Sequence, residues 1–125
     1  MFNNVDGNDN VSIGQNALSY NTTGDENVVN GSAALYIGSN PNQNVALGFE
    51  ALKLNNANQN TAVGYRAGTN NTGSNNIMVG ANAATPSASA NNQMSIGNVI
   101  YGTAMASAAT ARIGVGETAP AASLW

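Results

Sequence analysis

Side chains able to do chemistry are scarce in this chain. It has no histidine and no cysteine. The commonest general base and metal ligand are therefore missing, along with any thiolate or disulfide framework. Three basic residues, Lys53, Arg66 and Arg112, stand against six acidic ones, for a net charge of −3. Nucleic-acid binding needs clustered lysine and arginine to neutralise phosphates, and none is expected. Glycoside hydrolysis needs two carboxyl groups about 5–9.5 Å apart. Glu50 has no obvious carboxylate partner, so no enzyme and no catalytic residue are expected. The segment Asp6-Gly7-Asn8-Asp9 spaces hard oxygen ligands around a glycine, as Ca²⁺ ligation would use. It lacks the rest of an EF-hand loop and reads better as a polar turn, so neither metal nor cofactor is expected. Asp25 and Glu26 fall in a second turn and are expected to be solvated.

One constellation remains. Phe49-Glu50 and Tyr65-Arg66 occupy matching places in two neighbouring sequence repeats. Stacked at about 4.8 Å, they would form an aromatic pair beside an ion pair, a cross-strand ladder. The alternative is a surface contact for a carbohydrate or a receptor, since an aromatic face with polar groups beside it suits a sugar ring.

The repeat that aligns these residues runs through the whole chain. Asn60-Thr61-Ala62-Val63-Gly64-Tyr65-Arg66-Ala67 has counterparts beginning at Asn10, Asn27, Asn44 and Asn76, with a truncated copy at Gln93. The anchoring glycines are Gly14, Gly31, Gly48, Gly64, Gly80 and Gly97, spaced 17, 17, 16, 16 and 17. A short fixed period is the mark of a stacked array. Numbered from the glycine, positions −3 and −1 hold mostly large aliphatic residues and position −2 holds mostly smaller ones. Residues two apart in a strand share a face, so each repeat reads as a short strand ending at a glycine turn. The bulky face is expected to fill the coil interior, with Val11, Ile13, Val45, Leu47, Val63, Ile77, Val79 and Ile96 as its core. A charge at Leu47 or Val63 should then abolish folding. Alanine at +3 and leucine at +4 suggest a second extended arm. The slim positions −2 and +3 would let another chain approach closely, which points to a cyclic homo-oligomer. The second repeat is irregular: Asn30 replaces an aliphatic and reads as a buried amide or a shifted register, and Tyr36-Ile37-Gly38 interrupts the turn.

The composition agrees with an all-β, short-repeat β-solenoid. Charged residues make up 7% of the chain and asparagine contributes 23 residues. Asparagine, threonine and glycine are poor helix formers and good turn formers. No apolar run reaches the roughly 20 residues that span a bilayer, so membrane insertion is not expected. The first residues lack the basic and apolar regions of a secretory signal.

The motif Asn-Thr-Ala-Val-Gly-Tyr-x-Ala, followed by Asn-Thr-Thr-Gly or Asn-Asn-Thr-Gly-Ser-Asn, resembles repeats of bacteriophage tail fibres and tailspikes. The segments Ser95–Thr103 and Ala111–Leu124 resemble the stretch that precedes an endosialidase-type C-terminal intramolecular chaperone. A looser similarity links the chain to the heads of trimeric autotransporter adhesins. The resemblance implies left-handed β-rolls in an intertwined homotrimer, a virion protein made in the host cytoplasm, and contacts with other virion proteins and with a bacterial surface glycan or receptor. A capsid decoration or head-fibre trimer, or a bacterial adhesin head, are the alternatives it leaves. The expected organisation is a lead-in over 1–9, β-roll repeats over 10–97, and a trimer-intertwining connector over 98–125, with Trp125 either capping an apolar end of the trimer or fraying.

Overall fold

A computed structural model of the chain describes residues 4–107 and 110–116. The fold is all-β, with no helix among the described residues. Six three-residue strands, β1 (Val11–Ile13), β2 (Val28–Asn30), β3 (Val45–Leu47), β4 (Thr61–Val63), β5 (Ile77–Val79) and β6 (Met94–Ile96), stack in parallel and in sequence order. Together they make a β-solenoid of about 5 turns. Like positions pair throughout: Val11 with Val28, Val28 with Val45, Val45 with Thr61, Thr61 with Ile77 and Ile77 with Met94.

The glycines turn the coil where the repeat placed them. Gly14, Gly31, Gly48, Gly64 and Gly80 have φ between 120° and 153°, a region that suits glycine alone. Each also lies against the backbone of the next coil. A Cβ on Gly64 would come within 2.6 Å of the Gly80 carbonyl oxygen.

The strand faces are the reverse of the expectation. The slim −2 row, with Val29, Ala46, Ala62, Met78 and Ser95, points into the coil and is fully buried. The bulky rows point out. Val11, Ile13, Val63, Ile77 and Ile96 are exposed, and Val45, Leu47 and Val79 are half-buried. The reason is room. A coil of 16–17 residues encloses a narrow bore, and like positions stack directly above one another. One small strand residue fits against an alanine and a leucine from the turn, and two bulky ones do not.

The rest of the core comes from the turn. Ala17, Ala34, Ala51, Ala67 and Ala83 at +3, and Leu18, Leu35 and Leu52 at +4, are completely buried. This segment is a series of tight turns rather than an extended arm. The leucines sit in left-handed conformation at φ 50°, 46° and 50°. That conformation costs roughly 1–2 kcal/mol per residue. Burying a leucine side chain returns about 1.5–3 kcal/mol, so burial decides. The fourth coil has Gly68 where leucine is due, and Met78 from the next coil occupies the space. A Cβ on Gly68 would meet Met78 Sδ at 2.9 Å and Leu52 Cδ2 at 3.0 Å.

Backbone hydrogen bonds continue from coil to coil beyond the strands. Leu18 donates to the Ala34 carbonyl, Leu35 to Ala51 and Leu52 to Ala67. Asn30 lies in unshifted register between Ile13 and Leu47, and it is exposed rather than buried. Tyr36-Ile37-Gly38 does not break the coil either: Tyr36 accepts from Tyr20 N, and Ile37 N donates to Lys53 O.

Residues 4–9 lie on the first coil and bond to it, with Val5 and Asp6 donating to the Thr22 carbonyl. At the other end, β7 (Ile100–Thr103) pairs antiparallel with β6, and β8 (Arg112–Val115) pairs antiparallel with β7. This meander covers the β6 edge of the stack, which would otherwise offer unpaired backbone groups. Trp125 lies outside the described residues.

Candidate functional site

Phe49, Glu50, Tyr65 and Arg66 are brought together on one corner of the third and fourth coils. Residues at +1 follow the glycine and point outward, and residues at +2 take the left-handed conformation, φ 53° at Glu50 and 55° at Arg66. The Phe49 and Tyr65 rings stack with centroids 5.5 Å apart and planes 11° off parallel. Both rings remain substantially exposed, 43% and 51%.

Sequence reasoning missed Lys53 as the third member of the ion pair. Its Nζ donates to Glu50 Oε1 at 2.6 Å, while Arg66 Nε lies 3.1 Å from Oε2. Glu50 thus has both oxygens engaged. The Lys53 hydrogen bond, with the two positive charges behind it, holds the Glu50 carboxyl below its ordinary range against a smaller opposing effect of burial. A carboxylate tied up in this way is a poor proton donor. The group has the geometry of a ladder, with one aromatic face open to solvent. Beside it, a surface hollow of about 200 Å³ is lined by Arg66, Thr69, Asn70, Asn82 and Thr85 over small residues such as Gly68 and Ala84. A second aromatic pair, Tyr20 and Tyr36, meets edge-on at 5.0 Å.

Asp25 Oδ1 accepts from Asn8 N at 2.7 Å, and Glu26 Oε2 accepts from Gln43 Nε2 at 2.7 Å, both at the surface. Glu26 is exposed and Asp25 half-buried, in keeping with the solvated turn expected of them. Among the described residues no three acidic side chains converge on one point.

The asparagines carry more of the structure than a turn-forming role required. Asn27, Asn44, Asn60 and Asn76 at −4 are fully buried. Each side-chain oxygen accepts from the backbone N–H of the equivalent residue one coil on: Asn27 to Asn44, Asn44 to Asn60 and Asn60 to Asn76, each at 3.0 Å, and Asn76 to Gln93 at 2.8 Å. A second column runs the opposite way, with Asp25 N donating to Asn42 Oδ1 at 2.8 Å and Asn42 N to Asn58 Oδ1 at 2.9 Å. These columns supply acceptors to backbone N–H groups that no carbonyl of the chain is seen to satisfy, as buried N–H groups require. The signal was the recurrence of asparagine at −4 in five of the six repeats, with glutamine in the last.

The outward strand face is a ladder of mostly aliphatic side chains one coil apart, with Thr61 and Asn30 its polar members and no charged residue at −3 or −1. Beyond the glycine turn, Tyr20, Ile37 and Leu54 form a second exposed apolar column at +6. Comparison with protein-family models, with curated proteins and with solved structures found no match.

Proposed function

We propose that this chain is a segment of a trimeric phage tail fibre or tailspike, a structural virion protein that takes part in host attachment without catalysis of its own. The observation that supports this most is the exposed aliphatic strand face. A soluble chain rarely leaves such a ladder bare, and a patch of this kind marks a contact surface. Six strands at about 4.8 Å and three residues of about 3.3 Å give a face of roughly 24 by 10 Å. That is well short of the roughly 800 Å² per partner of a standard interface. The second column, Tyr20, Ile37 and Leu54, supplies further area on a different side. Two unlike apolar sides on one chain suit a contact that closes into a ring better than a two-fold dimer. In this reading the Phe49–Tyr65 corner and its neighbouring hollow remain outside the ring, where a surface glycan or receptor would reach them.

Light scattering, with gel mobility in SDS before and after heating, tests the assembly. The expected mass is three times the 12.6 kDa of the chain, with an SDS-resistant band that collapses on heating. A monomer or dimer would overturn the reading. Binding of labelled protein to intact bacteria, lost on Tyr65→Ala, tests the attachment role.

A further inference from the structure

The coil-to-coil bonding is interrupted between the fourth and fifth coils. At +6, Tyr20 N donates to Tyr36 O, Ile37 N to Lys53 O and Leu54 N to Thr69 O. Asn70 is next in this series, and its N–H has no acceptor among the described residues. The cause lies in the fifth coil. Its +4 residue is Ala84, which has little side chain to bury and does not take the left-handed φ of Leu18, Leu35, Leu52 and Gly68. Pro86 then holds Thr85 extended. The chain leaves the coil path after Ala83 and meets the stack again at Ala88, whose carbonyl accepts from Thr72 N at 2.7 Å. The hollow of about 200 Å³ lies between these points.

Its lining is rich in unused donors. Arg66 meets Glu50 through Nε, and its two Nη groups make no hydrogen bond among the described residues. The side-chain amides of Asn70 and Asn82 are exposed and likewise unengaged there. No acidic residue lines the hollow. The nearby Glu50 side chain is only 15% exposed and is covered by Lys53 and Arg66. One carboxylate against two cations leaves the corner with one positive charge in excess. The other described acids, Asp6, Asp9, Asp25 and Glu26, all precede β2.

A single excess charge suits a monoanion. A planar guanidinium with both Nη groups free matches a carboxylate, and amides that donate and accept match hydroxyls. The floor of Gly68 and Ala84 lets a ring approach closely. The volume falls below the roughly 300–1,000 Å³ of a drug-sized pocket, so one residue of a longer ligand fits. We infer that the hollow binds a carboxylate-bearing pyranose, a hexuronate residue of an acidic glycan, with Arg66 on the carboxylate and Asn70 and Asn82 on ring hydroxyls. The choice of a glycan as the source of that carboxylate rests on the attachment role proposed above.

Titration with methyl β-glucuronide, followed in proton–nitrogen NMR spectra, tests the site. Saturable shifts are expected at the Asn70 N–H, the Asn70 and Asn82 side-chain amides and Arg66 Nε–H. Methyl β-glucoside lacks the charge and acetate lacks the ring, and each should bind about tenfold more weakly. Arg66→Gln should weaken the glucuronide by a similar factor and leave the glucoside and the circular dichroism unchanged. Asn82→Ala, which leaves the ion pairs intact, should weaken it several-fold and serves if Arg66→Gln does not fold. Equal affinity for the glucoside or for acetate, or no shift of these groups with the glucuronide, would overturn the inference. Binding to intact bacteria separates the two readings. Glucuronide shifts in a protein that binds no cells would overturn the attachment role alone. Cell binding lost on Tyr65→Ala but kept in Arg66→Gln would uphold that role and overturn the part given to the hollow.

Discussion

A buried asparagine in this coil acts on three chain levels at once. Asn60 donates its backbone N–H to Asn44, accepts from the backbone N–H of Asn76, and directs its side-chain nitrogen at Asn55 Oδ1, 3.3 Å away. Asn60→Ala strands the Asn76 N–H in a dry interior and should destabilise by about 1–3 kcal/mol. The neighbouring exposed Gln59→Ala should stay within about 0.5 kcal/mol. Urea unfolding of the two variants checks the contrast. Glu50 works by charge. Its carboxyl is held below the ordinary range, chiefly by Lys53, so folding favours the ionised form. That contribution is in place above the unfolded-state value, about 4.3, and is lost as pH falls through the lower folded value. Glu50→Gln should therefore be slightly less stable than the parent protein at neutral pH and converge with it in acid. Urea midpoints taken from pH 7 down to pH 2.5 give the comparison.

At the level of the coil, volume is conserved rather than sequence position. The standard coil pairs a small −2 residue with leucine at +4, as Ala46 with Leu52. At the junction of the fourth and fifth coils the sizes are exchanged, with Gly68 at +4 and Met78 at −2 of the next strand. Gly68→Leu alone should overpack the bore at a cost of about 1–3 kcal/mol. Met78→Ala alone should leave a cavity worth about 2–5 kcal/mol. The double variant restores the usual arrangement, and leucine already tolerates left-handed φ at three equivalent positions, Leu18, Leu35 and Leu52. It should recover at least half of the summed loss. A double-mutant cycle in urea measures that coupling, and simple additivity would refute the exchange. The glycine ladder was legible here because its spacing is nearly constant. The turn was not, because a leucine in left-handed conformation contradicts its local preference and is stabilised only by the core it enters.

For the whole molecule, the reversed strand face changes what a surface charge should do. Val63→Asp should leave the coil folded, since the side chain faces outward, and should abolish self-association. Ala62→Asp, one residue earlier, places a charge in the bore and should prevent folding. Circular dichroism reads the fold and light scattering reads the assembly. A folded, fully assembled Val63→Asp protein would remove the strand face from the interface, and a folded Ala62→Asp protein would contradict the inward −2 row.

The period, the all-β class, the absence of helix-forming segments and the glycine turns follow from the sequence by itself, because each depends on local preference repeated at fixed spacing. Alternation along Thr61-Ala62-Val63 established which residues share a face and nothing more, since a period of two is symmetric between inside and outside. Only the closed coil broke that symmetry. Its bore admits Ala62 beside Ala67 and has no room for the bulky residues on either side of it, so the aliphatic ladder was turned to the surface and the asparagines at −4 were drawn into the interior as bonded columns.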